Sequence, residues 1–268
     1  MSIIQSIVLA IVEGLTEFLP ISSTGHMALV SAFMGIEKND FTTLFIESIQ
    51  FGTILSVLVL YWKKFFDFKK MQLYVKLIIA FIPAAVLGVL FKKHIDQLIG
   101  TPLFIACTMF FGGIVLLFVD NWFKNPKIES EDKVSNKNAL YIGFFQVLAV
   151  VLPGLSRSAA TIIGGMQQKL TRKAAAEFSF FLAVPTLAGA FAKSMWDAYK
   201  DTPELLTQHN ISVLALGNIV GFIVAVIAIK GFIAFLTKHG FRFFGYYRII
   251  VGLIIIAMIY FRGNVFLF

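Results

Sequence analysis

Hydrophobic and polar positions in this chain neither alternate nor recur at the spacing of a half-exposed helix; they segregate into blocks. Six apolar blocks, at residues 41–62, 72–91, 102–119, 174–193, 211–230 and 245–261, are separated by short polar stretches. A helix rises about 1.5 Å per residue, so roughly 20 residues cross a hydrocarbon core about 30 Å thick. Each block is therefore predicted to be a membrane-spanning helix. The strands of a membrane barrel would alternate apolar and polar residues instead.

Two further apolar regions are interrupted by proline. Residues 3–19 carry Glu13 and Glu17 and stop at Pro20, and residues 22–35 follow at once; residues 139–152 stop at Pro153, and residues 155–168 follow. Each piece would be roughly 21–26 Å long as a helix, short for a full crossing. Two such pieces joined by a Pro- and Ser-rich break are expected to form a re-entrant hairpin. A shift of 133 residues lays Leu19-Pro20 on Leu152-Pro153, Ser23 on Ser156 and Glu13 on Gln146. The competing reading is a chance likeness of two proline-broken helices. Each hairpin precedes three spans, and an odd number of spans turns the second copy upside down. The expected fold class is all-α integral membrane: six transmembrane helices plus two re-entrant helical hairpins in an inverted repeat. Residues 1–119 form the first repeat, 120–138 a solvated cytoplasmic linker and 139–268 the second repeat, all within one membrane domain.

Composition supports this reading. Hydrophobic residues make up 58% of the chain, above the roughly 45–50% of soluble domains. The net charge of +8 sits at block ends, where topology and lipid headgroups account for it, so nucleic acid is not expected as a partner. With the stretch 63–70 placed in the cytoplasm, fifteen Lys and Arg residues fall on that side, Arg248 among them. Six fall outside: Lys38, Lys92, Lys93, Lys193, Lys200 and Arg262. Lys69 and Lys70 count with the cytoplasmic set. Both termini then lie outside, and the two hairpin tips meet inside the protein. The first basic residue is Lys38, and neither a positive n-region nor a cleavage site is visible, so residues 1–19 are expected to stay in the mature protein. The single cysteine, Cys107, lies in an apolar block and reads as a small buried hydrophobe.

Chemistry gathers at the two breaks. Glu13 and Glu17 are four residues apart and share a helix face. Two carboxylates in apolar surroundings are unfavourable unless paired, hydrated or bound to a cation, and Mg²⁺ or Ca²⁺ takes such oxygen ligands. Beyond Pro20, Ser22, Ser23, Thr24 and Gly25 open a helix whose free N–H groups and hydroxyls make an anion site; plain N-capping is the alternative. His26 is a candidate proton donor or acceptor, whereas His94, His209 and His239 fall in loops or at block ends. At the second break Arg157 offers a guanidinium fork suited to phosphate. Gly154 allows close approach, and Ser156, Ser158 and Thr161 add donors. The alternative for Arg157 is pairing with Glu13 or Glu17. Two helix starts, an Arg, hydroxyls, two acids and a His suit phosphoryl transfer.

The stretches 13–26 and 153–161 resemble the two signature motifs of the bacterial undecaprenyl-diphosphate phosphatases, also known as bacitracin-resistance proteins, and the likeness extends over the whole chain. The resemblance implies hydrolysis of a polyprenyl diphosphate lipid to the monophosphate at the outer side of the bacterial cytoplasmic (inner) membrane. It also implies recycling of the lipid carrier for peptidoglycan synthesis and dependence on a divalent cation. Carried over, Ser23 is similar to the nucleophile, Arg157 to the phosphate clamp, Glu13 and Glu17 to the acids that hold metal or activate a hydroxyl, and His26 to a general acid or base. Gln146, the counterpart of Glu13, joins the substrate-binding set with Ser22, Thr24, Gly25, Gly154, Ser156, Ser158 and Thr161. The division of labour among Ser23, His26 and Glu17, the oligomeric state (a homodimer being the candidate) and direct attack by water stay open. Inverted repeats with broken helices are also a transporter architecture, so a lipid-phosphate flippase is the alternative function.

Overall fold

A computed structural model describes residues 1–37, 39–67, 71–91, 95, 97–98 and 101–262. Lys38, Lys69, Lys70, Lys92, Lys93 and His94, named above, lie outside the described residues, as does the side chain of Arg262. The labelled helices run α1 Ile3–Thr16, α2 Ser23–Phe33, α3 Asp40–Leu60, α4 Met71–Leu90, α5 Pro102–Trp122, α6 Asn136–Val151, α7 Arg157–Gln167, α8 Arg172–Asp201, α9 Gln208–His239 and α10 Arg242–Arg262. Among the described residues the only β structure is one isolated bridge, between Ile128 and Leu170.

Six helices, α3, α4, α5, α8, α9 and α10, are long and apolar enough to cross a membrane, and they correspond in order to the six predicted blocks. α8 and α9 reach 30 and 32 residues and overrun their blocks at both ends. Hydropathy falls where polar side chains begin, but the helices continue. Thr171 and Thr207 cap their starts by accepting from Ala174 N and Asn210 N, and an i,i+4 pair of Lys193 and Asp197 dresses the polar end of α8. Outward rows such as Val75, Ile78 and Ile82 on α4 and Ile219, Ile223 and Ile227 on α9 stay exposed. They follow helical spacing, as a lipid-facing surface requires.

The remaining four helices form two helix–break–helix units, α1–α2 and α6–α7, interrupted near Pro20 and Pro153 as expected, since proline cannot continue the ladder. Ser2 and Ser135 each open a leading helix with a capping box, completed by Gln5 and Asn138. That pair keeps the shift of 133 residues. Past the prolines the register changes. The N-caps of α2 and α7 are Ser22 and Ser156, 134 residues apart. The counterpart of Ser156 is therefore Ser22, not Ser23, and Ser23 corresponds to Arg157. The second break holds one more residue between its proline and its serine, with Gly154 at φ 92° within it.

Helix α8 is the most buried span: 61% of its apolar window is inside, against 28% for α9 and α10. It crosses α3 in antiparallel sense, Ser194 meeting Glu47 at one end and Phe181 meeting Tyr61 at the other. Helix α1 packs against α9, α6 against α4, and α5 against α10. Close approach is set by small residues. At Gly52 the N–H donates to Asn218 Oδ1 at 2.6 Å, and a Cβ there would meet the Asn218 backbone.

The linker departs from expectation. It is not a freely solvated loop. Glu131 is 1% exposed and ion-pairs with Lys64, which also reaches Glu177 at 3.5 Å. Lys76 donates to Asp132 O at 2.8 Å, and Ile128 exchanges backbone bonds with Lys169 and Thr171. Burial pushes the Glu131 carboxyl up, but the bond and charge of Lys64 outweigh it and hold the group below its ordinary value. Charged composition alone reads as solvated; the partners that bury Glu131 are 67 residues or more away from it or belong to another helix.

Candidate active site

The two breaks determine how α2 and α7 begin. Ser22 and Ser156 sit at φ 70° and 76°, a region that residues with a Cβ seldom adopt and that costs about 1–3 kcal/mol each. In that conformation each Oγ accepts from the N–H three residues on, Gly25 at 3.3 Å and Ala159 at 3.2 Å. Other N–H groups of each first turn have no helical partner. Ser158 Oγ donates to Phe18 O at 2.6 Å and so ties the second helix start to the first break. Both serines line one cavity of about 240 Å³, together with Glu17, Ser23, Thr24, Gln50, Gly154 and Arg157.

Glu17 bridges the two units. Its Oε2 accepts from Ser23 Oγ at 2.6 Å and its Oε1 from Arg157 Nη2 at 2.7 Å. The carboxylate is 5% exposed, so the pair is weakly screened. Arg157 also donates through Nη1 to Ser179 O at 3.1 Å and lies over the Phe18 ring. Its buried Nε has no hydrogen-bond partner. The guanidinium is thus oriented by two groups through two of its five N–H donors.

Glu13, one turn earlier, is completely buried, and among the described residues neither carboxylate oxygen has a hydrogen-bond partner. It lines a second cavity of about 720 Å³ that shares Thr24, Gln50 and Val150 with the first. Most of that wall is apolar, including Met27, Phe81, Ala84, Val89 and Ile105. Its polar end carries Thr43, Glu47, Lys193 and Asp197, at the end of the bundle away from the linker. An orphaned carboxylate beside Glu17 fits a cation. No cluster of three or more His, Cys, Asp or Glu exists among the described residues. A cation held by Glu13 and Glu17 would draw its remaining ligands from water and phosphate oxygens.

Glu13, Glu17, Ser22, Ser23, Thr24, Gly154, Ser156 and Arg157 are brought together around these cavities. Five expected site residues stand behind the wall. His26 Nδ1–H donates to Ser22 O at 2.7 Å, which leaves Nε2 to accept from the Tyr247 hydroxyl at 2.7 Å, with the two rings stacked. Neither nitrogen is free. Gly25 packs against Met109. Ser158 serves Phe18 O, Thr161 bonds Ser179 Oγ at 2.6 Å, and Gln146 accepts from Thr186 at 3.3 Å.

Gln50, Ser179, Tyr247 and Arg248 also build or brace the site, outside the two motifs. Gln50 was visible as a polar side chain inside an apolar block. Arg248 is the clearest correction. Counted with the cytoplasmic charges, it is in fact completely buried, and all five of its N–H groups go to backbone carbonyls. It lies four residues inside its block, where a long side chain would be expected to snorkel to water.

Residues 6–254 match the family model described as bacitracin resistance protein BacA. The chain is 54% identical over 261 residues to the undecaprenyl-diphosphatase of Flavobacterium psychrophilum and 53% identical over 262 residues to that of Flavobacterium johnsoniae, each alignment covering 97% of both chains. It is 51% identical over 274 residues to the undecaprenyl-diphosphatase of Porphyromonas gingivalis, covering 96% of this chain and 97% of the relative.

Proposed function

The chain belongs to the bacitracin resistance protein BacA family, and we infer from that membership that it hydrolyses undecaprenyl diphosphate to undecaprenyl phosphate and inorganic phosphate. The reaction returns the lipid carrier to cell-wall synthesis. The observation that carries the assignment of residues is the Glu17 carboxylate, held between the Ser23 hydroxyl and the Arg157 guanidinium.

Ser23 is the nucleophile and Glu17 its base. Ser23 Oγ forms a bond to the terminal phosphorus as the bond from that phosphorus to the bridging oxygen breaks. The hydroxyl proton passes to Glu17 Oε2, and the bridging oxygen leaves as part of undecaprenyl phosphate, to which Glu17 returns the proton. Water then attacks the phosphoserine, Glu17 accepts its proton and hands it to Ser23 Oγ, and inorganic phosphate departs. Such transition states need positioned charge more than covalent help. The Arg157 guanidinium and the N–H groups at the starts of α2 and α7 supply it. His26 supports the Ser22 carbonyl instead of exchanging protons with substrate. A divalent cation held by Glu13 with Glu17 would, when bound, neutralise charge on the diphosphate oxygens.

The helix–break–helix units are re-entrant hairpins of an inverted repeat. Support comes from the matching capping boxes, the matching positive-φ serines and the reciprocal packing of α1 on α9 and α6 on α4. The site opens to the outer face of the cytoplasmic membrane. The larger cavity ends away from the linker, and the charge tally, now fourteen to six with Arg248 removed, supports a cytoplasmic linker. A flippase alone would have no use for a serine paired with a base.

Purified protein in detergent micelles, where no second compartment exists, is expected to release inorganic phosphate from undecaprenyl diphosphate, and Ser23→Ala is expected to release none above background. Equal release by both would overturn the assignment.

A further inference from the structure

Arg248 lies outside the cavities, yet its guanidinium touches both breaks. Nη1 donates to Pro20 O at 3.2 Å and to Leu155 O at 2.7 Å; Nη2 donates to Gly154 O at 3.0 Å and to Thr108 O at 3.3 Å; Nε donates to Met109 O at 3.3 Å. A guanidinium has five N–H groups, and all five are used. Three of the carbonyls belong to the breaks, where no helix ladder serves them; the other two anchor the group to α5. Pro20 precedes Ser22 and Ser23 by one short turn, and Gly154 and Leu155 lead straight into Ser156 and Arg157. Room for the guanidinium exists because position 112 is glycine: a Cβ there would overlap Nη2 and sit 3.0 Å from Cζ. A buried cation is expensive to keep where an apolar side chain would pack, which points to a task beyond stability.

We propose that Arg248 is a positioning residue for the hydrolysis: by holding Pro20 against Gly154 and Leu155 it fixes the two breaks relative to one another and sets the separation of Ser23 from Arg157. The proposal rests on the site assignment given above. The two reacting arms come from different halves of the chain, and among the described side chains Arg248 is the one that donates to carbonyls of both breaks. A misplacement of reacting groups by about 1 Å costs on the order of 100-fold in rate. Grip on the lipid tail, which the larger cavity would hold, does not depend on Arg248.

The test compares wild type, Arg248→Met, Arg248→Lys, Gly112→Ala and the double variant Gly112→Ala/Arg248→Lys, each purified, checked for thermal stability in detergent and assayed on undecaprenyl diphosphate. Folded Arg248→Met is expected to lose about 100-fold in kcat with KM nearly unchanged. Arg248→Lys, with three donors in place of five, falls between. Gly112→Ala lowers kcat when Arg248 is present and loses its effect beside Lys, because the added methyl acts through the guanidinium. Folded Arg248→Met with wild-type kcat overturns the proposal, as does an equal loss from Gly112→Ala in both backgrounds. Should Arg248→Met and Arg248→Lys fail to accumulate, Gly112→Ala alone decides: unchanged kcat in a stable variant overturns the proposal, and a selective kcat loss supports it. Ser23→Ala runs in the same assay. Full activity there would sink the site assignment and leave the Arg248 comparison, read against wild type, standing.

Discussion

Replacing Glu17 with Gln isolates the proton-accepting role of one carboxylate. The amide is isosteric, so its oxygen can still accept from Arg157 Nη2, and Arg157 keeps its second anchor at Ser179 O. What changes is the other arm. The amide nitrogen would face Ser23 Oγ, now 2.6 Å from Oε2, and a donor cannot take a proton from a hydroxyl. A positioned general base contributes about 10²–10⁴-fold, or roughly 2.7–5.4 kcal/mol of barrier. Stability should suffer less. Removing one partner of a buried ion pair costs about 3–5 kcal/mol when nothing replaces it; here a hydrogen bond survives, so a loss of about 1–3 kcal/mol is expected. The assay is phosphate release at saturating undecaprenyl diphosphate, with thermal unfolding followed by tryptophan fluorescence on the same preparation. The expected outcome is a folded variant with kcat down by at least about 100-fold. Turnover within about threefold of wild type, less than 1 kcal/mol of barrier, would refute Glu17 as the base.

Ser23→Ala should lose at least about two orders of magnitude in kcat, whereas Ser22→Gly should stay within about tenfold of wild type, because glycine adopts φ 70° without strain and still caps a helix; similar losses would mean that both hydroxyls merely cap α2. Glu13→Gln should raise the cation concentration needed for half-maximal rate while wild type is inhibited by chelator, and a chelator-insensitive wild type would remove the cation from Glu13. In a Cys107→Ala background, a cysteine at Thr43, on the polar rim of the larger cavity, should react with an impermeant thiol reagent in intact cells stripped of outer barriers. A cysteine at Ser135 in the linker should not, and the reverse labelling would invert the orientation.

The spans were legible because each buries a continuous apolar stretch, and the breaks because proline interrupts a helix whatever surrounds it. Pairing of Arg157 with Glu13 or Glu17 was open in the sequence as the alternative to a phosphate clamp; the bond of Glu17 to Ser23 was not. What stayed hidden depends on partners distant in sequence. Gln146 and Glu13 align along the chain, but only packing decides that Glu13 faces a cavity while Gln146 meets Thr186. His26 reads along the chain as a proton carrier, and its bond to Tyr247, 221 residues away, is invisible there. Arg248 looked like an interfacial charge because nothing local says that three loop carbonyls need donors. The one-residue slip between Ser22 and Ser23 escaped because alignment at the prolines cannot see that the second break is longer.

The two helix–break–helix units share a local pattern and yet give the site two unlike arms. In both units a capping serine opens the leading helix, and a second serine at positive φ starts the next helix after the proline. Either helix start attracts an anion. The first residue within each helix then differs: Ser23 in one unit, Arg157 in the other. Two serines there would give a nucleophile with no fixed cation beside it; two arginines would repel each other until phosphate arrived. With one of each, a single carboxylate, Glu17, can accept from the serine and hold the arginine at once. The leading helices diverge in the same sense. Glu13 and Gln146 both lie eleven residues past their capping serines, both are completely buried and both keep side-chain atoms without partners, but only the first carries charge. A second glutamate would add a buried carboxylate with no arginine to spare, since Arg157 is committed to Glu17 and Arg248 to the backbone. The two units can therefore share their capping serines while their charges differ.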